Sequence, residues 1–195
     1  MPHDPTKPMS VYFDLGWSDT TAVWFAQHIA GEVRLIDFHQ DAQRPFADYL
    51  KLLQAKVYVY ETMWLPHDAQ AKSLGTGRSI EEIARAAGWR VRIVPKLSVA
   101  DGINATRTVF PTMWFDQTRC ADGIQALRHY RYDVDENGQF SKNPLHDHTS
   151  NGADTLRYVA VAMRGARQAR YQMPDRPPPR MPVAGARTGL GWMRG

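Results

Sequence analysis

The sequence predicts an α/β fold in which a mixed sheet carries helices packed on it. Three observations predict it. Apolar, β-branched and aromatic runs crowd the first forty residues; helical spacing then alternates with short strand-like runs; and the last periodic segment, from about residue 150, is a long helix.

The elements follow in order. Residues 11–14 and 21–27 read as strands around a tight turn at Gly16–Asp19, and 32–39 as a third strand, with Gly31 separating the last two as in successive hairpins. Residues 45–54 have helical spacing through Phe46, Leu50 and Leu53, with Pro45 suited to the first turn. Val57-Tyr58-Val59-Tyr60 is a β-branched and aromatic run expected to form a buried strand. Ser79-Ile80-Glu81-Glu82 is a capping box, so a helix spans 80–87 and stops at Gly88. A short strand at 91–94 precedes helices at 98–110 and 118–129, the second turning Cys120, Ile124 and Leu127 inward. Residues 131–140 read as a hairpin around Asp135-Glu136-Asn137-Gly138. The final helix runs from near Ser150 to about Gln168, burying Ala153, Leu156, Ala160 and Met163. The organisation is therefore an N-terminal extension (1–9), one folded domain (10–172) and a Pro-, Gly- and Arg-rich tail (173–195) read as disordered, because it has no apolar periodicity to bury.

Composition narrows the function. Hydrophobic residues make up 43% and charged residues 23%, as in a soluble globular protein. No apolar run approaches the ~18 residues of a membrane span, and the start has no secretory signal. The single cysteine, Cys120, excludes a disulfide framework and a Cys-rich zinc site and suits a reducing cytoplasm. The net charge of +4 is unevenly spread. From Arg164 onward seven Arg face only Asp175, a net of +6, which leaves residues 1–163 at −2. A body of that charge needs local basic patches or bound cations to handle phosphates.

Three segments carry the carboxylates that matter. Asp14 interrupts the apolar strand Val11-Tyr12-Phe13, where a lone carboxylate costs several kcal/mol unless it is paired or metal-bound; the structural alternative is a strand-end Asp supporting the Gly16 turn. Asp68, in Leu65-Pro66-His67-Asp68-Ala69, follows a central strand, where α/β sheets place sites; alternatively it caps a short helix over 69–73. Asp154 is placed in the first turn of the last helix, where the partial positive charge also favours an acid with no further role. It ends the dense run His146-Asp147-His148-Thr149-Ser150-Asn151-Gly152-Ala153-Asp154, in which Asp147 is a further ligand or a loop residue. A few Asp from separate elements are what hard divalent cations require: Mg²⁺ takes a few carboxylates plus substrate phosphate, and two ions ~4 Å apart activate a water and stabilise a leaving oxygen in an in-line displacement.

Phe13-Asp14-Leu15-Gly16-Trp17-Ser18-Asp19, Leu65-Pro66-His67-Asp68-Ala69, Gly75-Thr76-Gly77-Arg78-Ser79, Asp101-Gly102-Ile103-Asn104-Ala105-Thr106-Arg107 and Pro144-Leu145-His146-Asp147 through Ala153-Asp154 occur in this order. Together, over roughly residues 10–165, they resemble the nuclease domain of the large terminase subunit of tailed double-stranded DNA phages. The resemblance implies a ribonuclease-H-like mixed central sheet with helices on both faces, and two Mg²⁺ or Mn²⁺ ions as cofactors. It also implies cleavage of concatemeric double-stranded DNA during genome packaging, in the host cytoplasm at the procapsid portal. By motif position Asp14, Asp68 and Asp154 take the catalytic metal-ligand roles, with Asp147 a further candidate. Implied partners are double-stranded DNA, a terminase ATPase domain, the small terminase subunit and the portal; no membrane is implied. The chain has no Gly-x-x-x-x-Gly-Lys-Ser/Thr phosphate loop, so it reads as an excised domain or a lone nuclease. It has Ser150-Asn151 where many relatives read Ser-His, a departure that bears on any role for a histidine there and not on the Asp cluster.

Arg107, on a helix face with Asn104, and Arg131 and Lys142 of the hairpin are candidate DNA contacts, as are the tail arginines; the alternative for each is a solvated cation. Competing readings are a resolvase- or transposase-like nuclease with the same aspartates, a non-catalytic DNA- or portal-binding module whose carboxylates are caps, and a zinc hydrolase using His67, His146 and His148. The last lacks a helical His-x-x-x-His motif.

Overall fold

The computed structural model describes residues 3–16, 20–134, 139–145 and 150–171. Strands β1 (Met9–Asp14), β2 (Thr20–Ile29) and β3 (Glu32–Ala42) form an antiparallel meander, as the hairpin pattern predicts. Ala30 and Gly31 both take positive φ (50° and 89°) to turn β2 into β3, a conformation that glycine adopts at little cost. Helix α1 (Phe46–Ala55) then leads to β4 (Tyr60–Leu65), a 3₁₀ turn (His67–Gln70), α2 (Ile80–Ala86) and β5 (Val91–Ile93). Both halves of the α2 capping box form: Glu82 N donates to Ser79 Oγ at 3.1 Å, and Ser79 N donates to Glu82 Oε2 at 2.9 Å. Helix α3 (Val99–Val109), a 3₁₀ turn (Phe110–Thr112), β6 (Met113–Phe115), α4 (Ala121–His129), a small ribbon of β7 (Tyr132–Val134) and β8 (Phe140–Pro144), and α5 (Ser150–Tyr171) follow.

The six-stranded sheet has the order β5-β4-β1-β2-β3-β6. β4 and β5 extend the meander in parallel on one side and β6 on the other, so the sheet is mixed. Alternation along β1 sends Val11 and Phe13 to one face, with α1 and α2, and Tyr12 to the other, with α3, α4 and α5. Helices cover both faces. Because both faces are covered, β1 is buried from Met9 to Phe13, with Ser10 a buried polar residue within the run. Helix α4 comes so near the sheet that a Cβ on Gly123 would stand 2.4 Å from the Trp24 ring. The Trp24 indole in turn donates to Gly152 O at 2.8 Å and ties the start of α5 to β2.

Two expectations are corrected, and one strand was not foreseen. Val57 and Val59 are exposed (93% and 68%), and the strand begins only at Tyr60. The run satisfies the β pattern, but only its tyrosines turn inward, where Tyr60 donates its hydroxyl to Leu53 O and Tyr58 donates to Asp37. The sheet also contains β6, which three residues beside Pro111 did not announce. Asp154 is not in the first turn of α5, which holds no acidic residue; the helix starts at Ser150, one turn earlier. The predicted inner residues Cys120, Ala153, Leu156 and Ala160 are buried, and Ile124, Leu127 and Met163 pack partly buried against them. Asp19, Asp147, His146, His148 and the segment 173–195 lie outside the described residues, as does the side chain of Lys142.

Candidate functional site

Asp14 is the last residue of β1 and has the same facing as Tyr12, so its carboxylate lies on the α5 side of the sheet. There it accepts a long hydrogen bond from the Tyr158 hydroxyl, at 3.4 Å. β4 runs parallel to β1 and ends beside it, so the 3₁₀ turn carrying Asp68 stands at the same sheet edge. Asp154 projects from α5 one turn before Tyr158. The fold therefore brings the three predicted aspartates to one end of the sheet from three separate elements.

Their electrostatics reflect that meeting. Asp14 is pushed up to about 7, first by burial, then by the charge of Asp154, and more weakly by that of Asp68; the Arg157 guanidinium pulls against them. The hydroxyl of Tyr158 is held protonated by burial and by the same carboxylates. Asp154 is ion-paired to Arg157, Nη2 to Oδ1 2.8 Å.

The ordinary explanations lose ground for two of the three. The 3₁₀ turn is capped at Pro66 with no side-chain hydrogen bond, so Asp68 does not cap it, and its side chain is exposed. Asp154 lies beyond the helix turn in which a dipole would favour it. Capping therefore does not account for Asp68, nor the helix dipole for Asp154.

Two clefts flank the cluster. One, of ≈ 240 Å³, lies on the α1 side and is lined by Gly16, Arg44, Phe46 and Asp68; Arg44 is paired with Asp41. The other, of ≈ 180 Å³, lies between α3 and α5 and is lined by His67, Lys96, Ser98, Arg157 and Tyr158. Arg44 thus shares one cleft with Asp68, and Lys96 and Arg157 line the other. Arg107 is exposed on α3 and shares an apolar groove with Arg157, and Arg131 is exposed beyond α4 and donates to His129 O. Sequence reasoning missed Arg44, Lys96, Arg157 and Tyr158. For the last two the signal was present, as the third and fourth residues after Asp154 on a helix.

Among the described residues no three His, Cys, Asp or Glu side chains are grouped closely enough to form a ready metal cage. The donor set still fits hard divalent cations: Asp14, Asp68 and Asp154 offer oxygen alone, and burial, followed by the charges of the other two, raises the Asp14 pKa.

No protein-family model and no curated protein matches the sequence. Solved structures do. The large terminase of a thermophilic bacteriophage superposes with a TM-score of 0.64 at 15% identity over 83% of this chain. The nuclease domain of the P22 large terminase superposes with a TM-score of 0.60 at 18% identity, covering 84% of this chain and 86% of its own. The fold is that of a large-terminase nuclease domain. A third structure, the large terminase nuclease of thermophilic phage G20c with bound magnesium, has a TM-score of 0.57 at 15% identity and covers 83% of this chain and 84% of its own. The chain spans about two fifths (42%) of the first terminase's length, so its terminase-nuclease fold corresponds to one part of that protein. This is the ribonuclease-H-like mixed sheet with helices on both faces that the ordered motifs implied. No helix among the described residues is long and apolar enough to cross a membrane.

Proposed function

We infer that this chain is a divalent-metal-dependent endonuclease that cuts concatemeric double-stranded DNA during viral genome packaging. The observation that carries the reading is the convergence of Asp14, Asp68 and Asp154 at one sheet end in a terminase-nuclease fold. The likeness to a nuclease with bound magnesium supports the choice of cofactor, two Mg²⁺ or Mn²⁺ ions. Asp14, Asp68 and Asp154 would hold them, with Asp147 as a further candidate ligand. When bound, the ions supply positive charge at the scissile phosphate and acidity for the attacking water.

The chain's own residues do the rest. Asp14 and Asp154 fix the cleavage point from a strand and a helix, both rigid supports. Lys96 and His67 on one flank and Arg44 on the other are placed to take phosphates of the DNA backbone, which lets a body of net negative charge bind DNA locally. Arg107 and Arg131 are outlying contacts, and Lys142 is a further candidate contact by sequence. Among the described residues no element resembles a groove-reading helix motif, so slight sequence preference is expected. Partners in the motor are a terminase ATPase domain, the small terminase subunit and the portal, in the host cytoplasm.

Plasmid DNA incubated with the protein and Mg²⁺ or Mn²⁺ is nicked or linearised, and excess chelator silences it. Equal cleavage in chelator contradicts the reading.

A further inference from the structure

Arg157 is held more closely than a surface arginine. Its side chain is 12% exposed. Its Nη2 lies 2.8 Å from Asp154 Oδ1, and its Nη1 approaches the Tyr130 hydroxyl at 3.4 Å. Its stem crosses α3 at Gly102, where an added Cβ would stand 3.3 Å from Arg157 Cδ and 3.6 Å from Nε. Helices α3 and α5 and the end of α4 therefore build a slot that aims one guanidinium at one member of the carboxylate cluster. Its charge also acts on Asp14, against those of Asp154 and Asp68.

A partly buried cluster of three carboxylates is unstable without a cation, and a fixed Arg meets that need when no metal is bound. The same contact occupies an oxygen of Asp154 that a divalent ion would use. We propose that Arg157 is a resident counter-ion of the carboxylate cluster, competing with the divalent cation for Asp154 and giving up that carboxylate when the ion binds. The proposal rests on the reading of the cluster as a metal site. Its consequence is that the metal-free protein stays folded with its ligands assembled, at the expense of metal affinity. Arg157 is thus a positioning residue rather than a catalytic one. Its side chain already lines the cleft of His67, Lys96 and Tyr158.

The test is calorimetric titration of the whole chain with MnCl₂, without DNA, for the parent and for Arg157→Gln. Arg157→Gln is expected to bind Mn²⁺ about tenfold more tightly and to melt at a lower temperature in chelator. Asp154→Asn added to Arg157→Gln is expected to recover part of the lost melting temperature, because it removes the charge that Arg157 had offset. If the variant does not fold, the parent alone decides: the side-chain Nε–H resonance of Arg157 is expected to shift as MgCl₂ saturates the protein. Unchanged or weaker Mn²⁺ binding in Arg157→Gln overturns the proposal, as does an Arg157 resonance that stays fixed while Mg²⁺ binds. A parent that binds neither ion overturns the metal-site reading as well, so the two failures are distinguishable.

Discussion

Two carboxylates inside this sheet have opposite surroundings. Asp37, on β3, is 7% exposed and fully provided for: it accepts from Lys56 Nζ at 2.5 Å, from the Tyr58 hydroxyl at 3.1 Å and from Phe38 N at 2.9 Å. Asp14, on β1, has among the described residues a single long bond from Tyr158 and two other carboxylates for neighbours, and rises to about 7. The first carries a fixed cation that belongs to the architecture. The second is set among like charges, which burial makes worse, and the cation that acts on it, Arg157, is paired with Asp154 instead. A buried acid is a site when its partners are missing, not merely when it is buried.

Substitution should separate the two most sharply. Asp14→Asn, Asp68→Asn and Asp154→Asn each remove charge that divalent ions need. If the ions contribute several kcal/mol at the phosphate, cleavage falls about a thousandfold with the fold intact. Asn caps a helix about as well as Asp, so a merely capping residue would tolerate the change. Asp147→Asn should reduce cleavage less than Asp154→Asn. Asp37→Ala should do the reverse of the site variants, costing about 3 kcal/mol of stability by stranding Lys56 while leaving cleavage per folded molecule unchanged. Plasmid cleavage and denaturant melts measure both, and a cleavage-dead, stable Asp37→Ala would erase the distinction.

The pH dependence of stability should sharpen it. Asp14 has its folded value raised from the ordinary 3.8 to about 7, so the folded state holds the proton more tightly than the unfolded chain. Its contribution to stability is fully present below about 4 and is lost as pH rises through about 7. In chelator, Asp14→Asn should therefore melt close to the parent near pH 4 and well above it at pH 8. At ~1.4 kcal/mol for each tenfold change in proton affinity, the difference amounts to a few kcal/mol. A parent-to-variant gap that does not change with pH would contradict this account of Asp14.

Much of this was readable in the sequence because it depended on local chemistry. The capping box at Ser79, the glycine between β2 and β3 and the inner face of α5 were set by neighbours in the chain. Asp14 stood out because a carboxylate ending Val11-Tyr12-Phe13 is costly wherever that strand lies. The position of β4 was misread because Val57-Tyr58-Val59-Tyr60 fits a strand pattern, and only the packing of Tyr58 and Tyr60 against β1, β2 and α1 shows which half of the run is inside. Arg157 and Tyr158 could not be recognised as neighbours of Asp14 without knowing that α5 crosses β1, a contact between residues 144 apart in the chain.

The smallest effect expected is from the tail. Deleting residues 173–195 removes four Arg and one Asp. Melting temperature and metal-dependent cleavage should hold, while DNA affinity weakens and depends less on salt. A large drop in melting temperature would show that the segment packs on the body.

Manganese anomalous scattering tests the central claim most directly, because it locates the ions without reference to activity. Crystals soaked in MnCl₂ should show anomalous density between Asp14, Asp68 and Asp154, and crystals of Asp14→Asn should lose it. Manganese bound elsewhere on the protein, with none among these three carboxylates, would contradict the account.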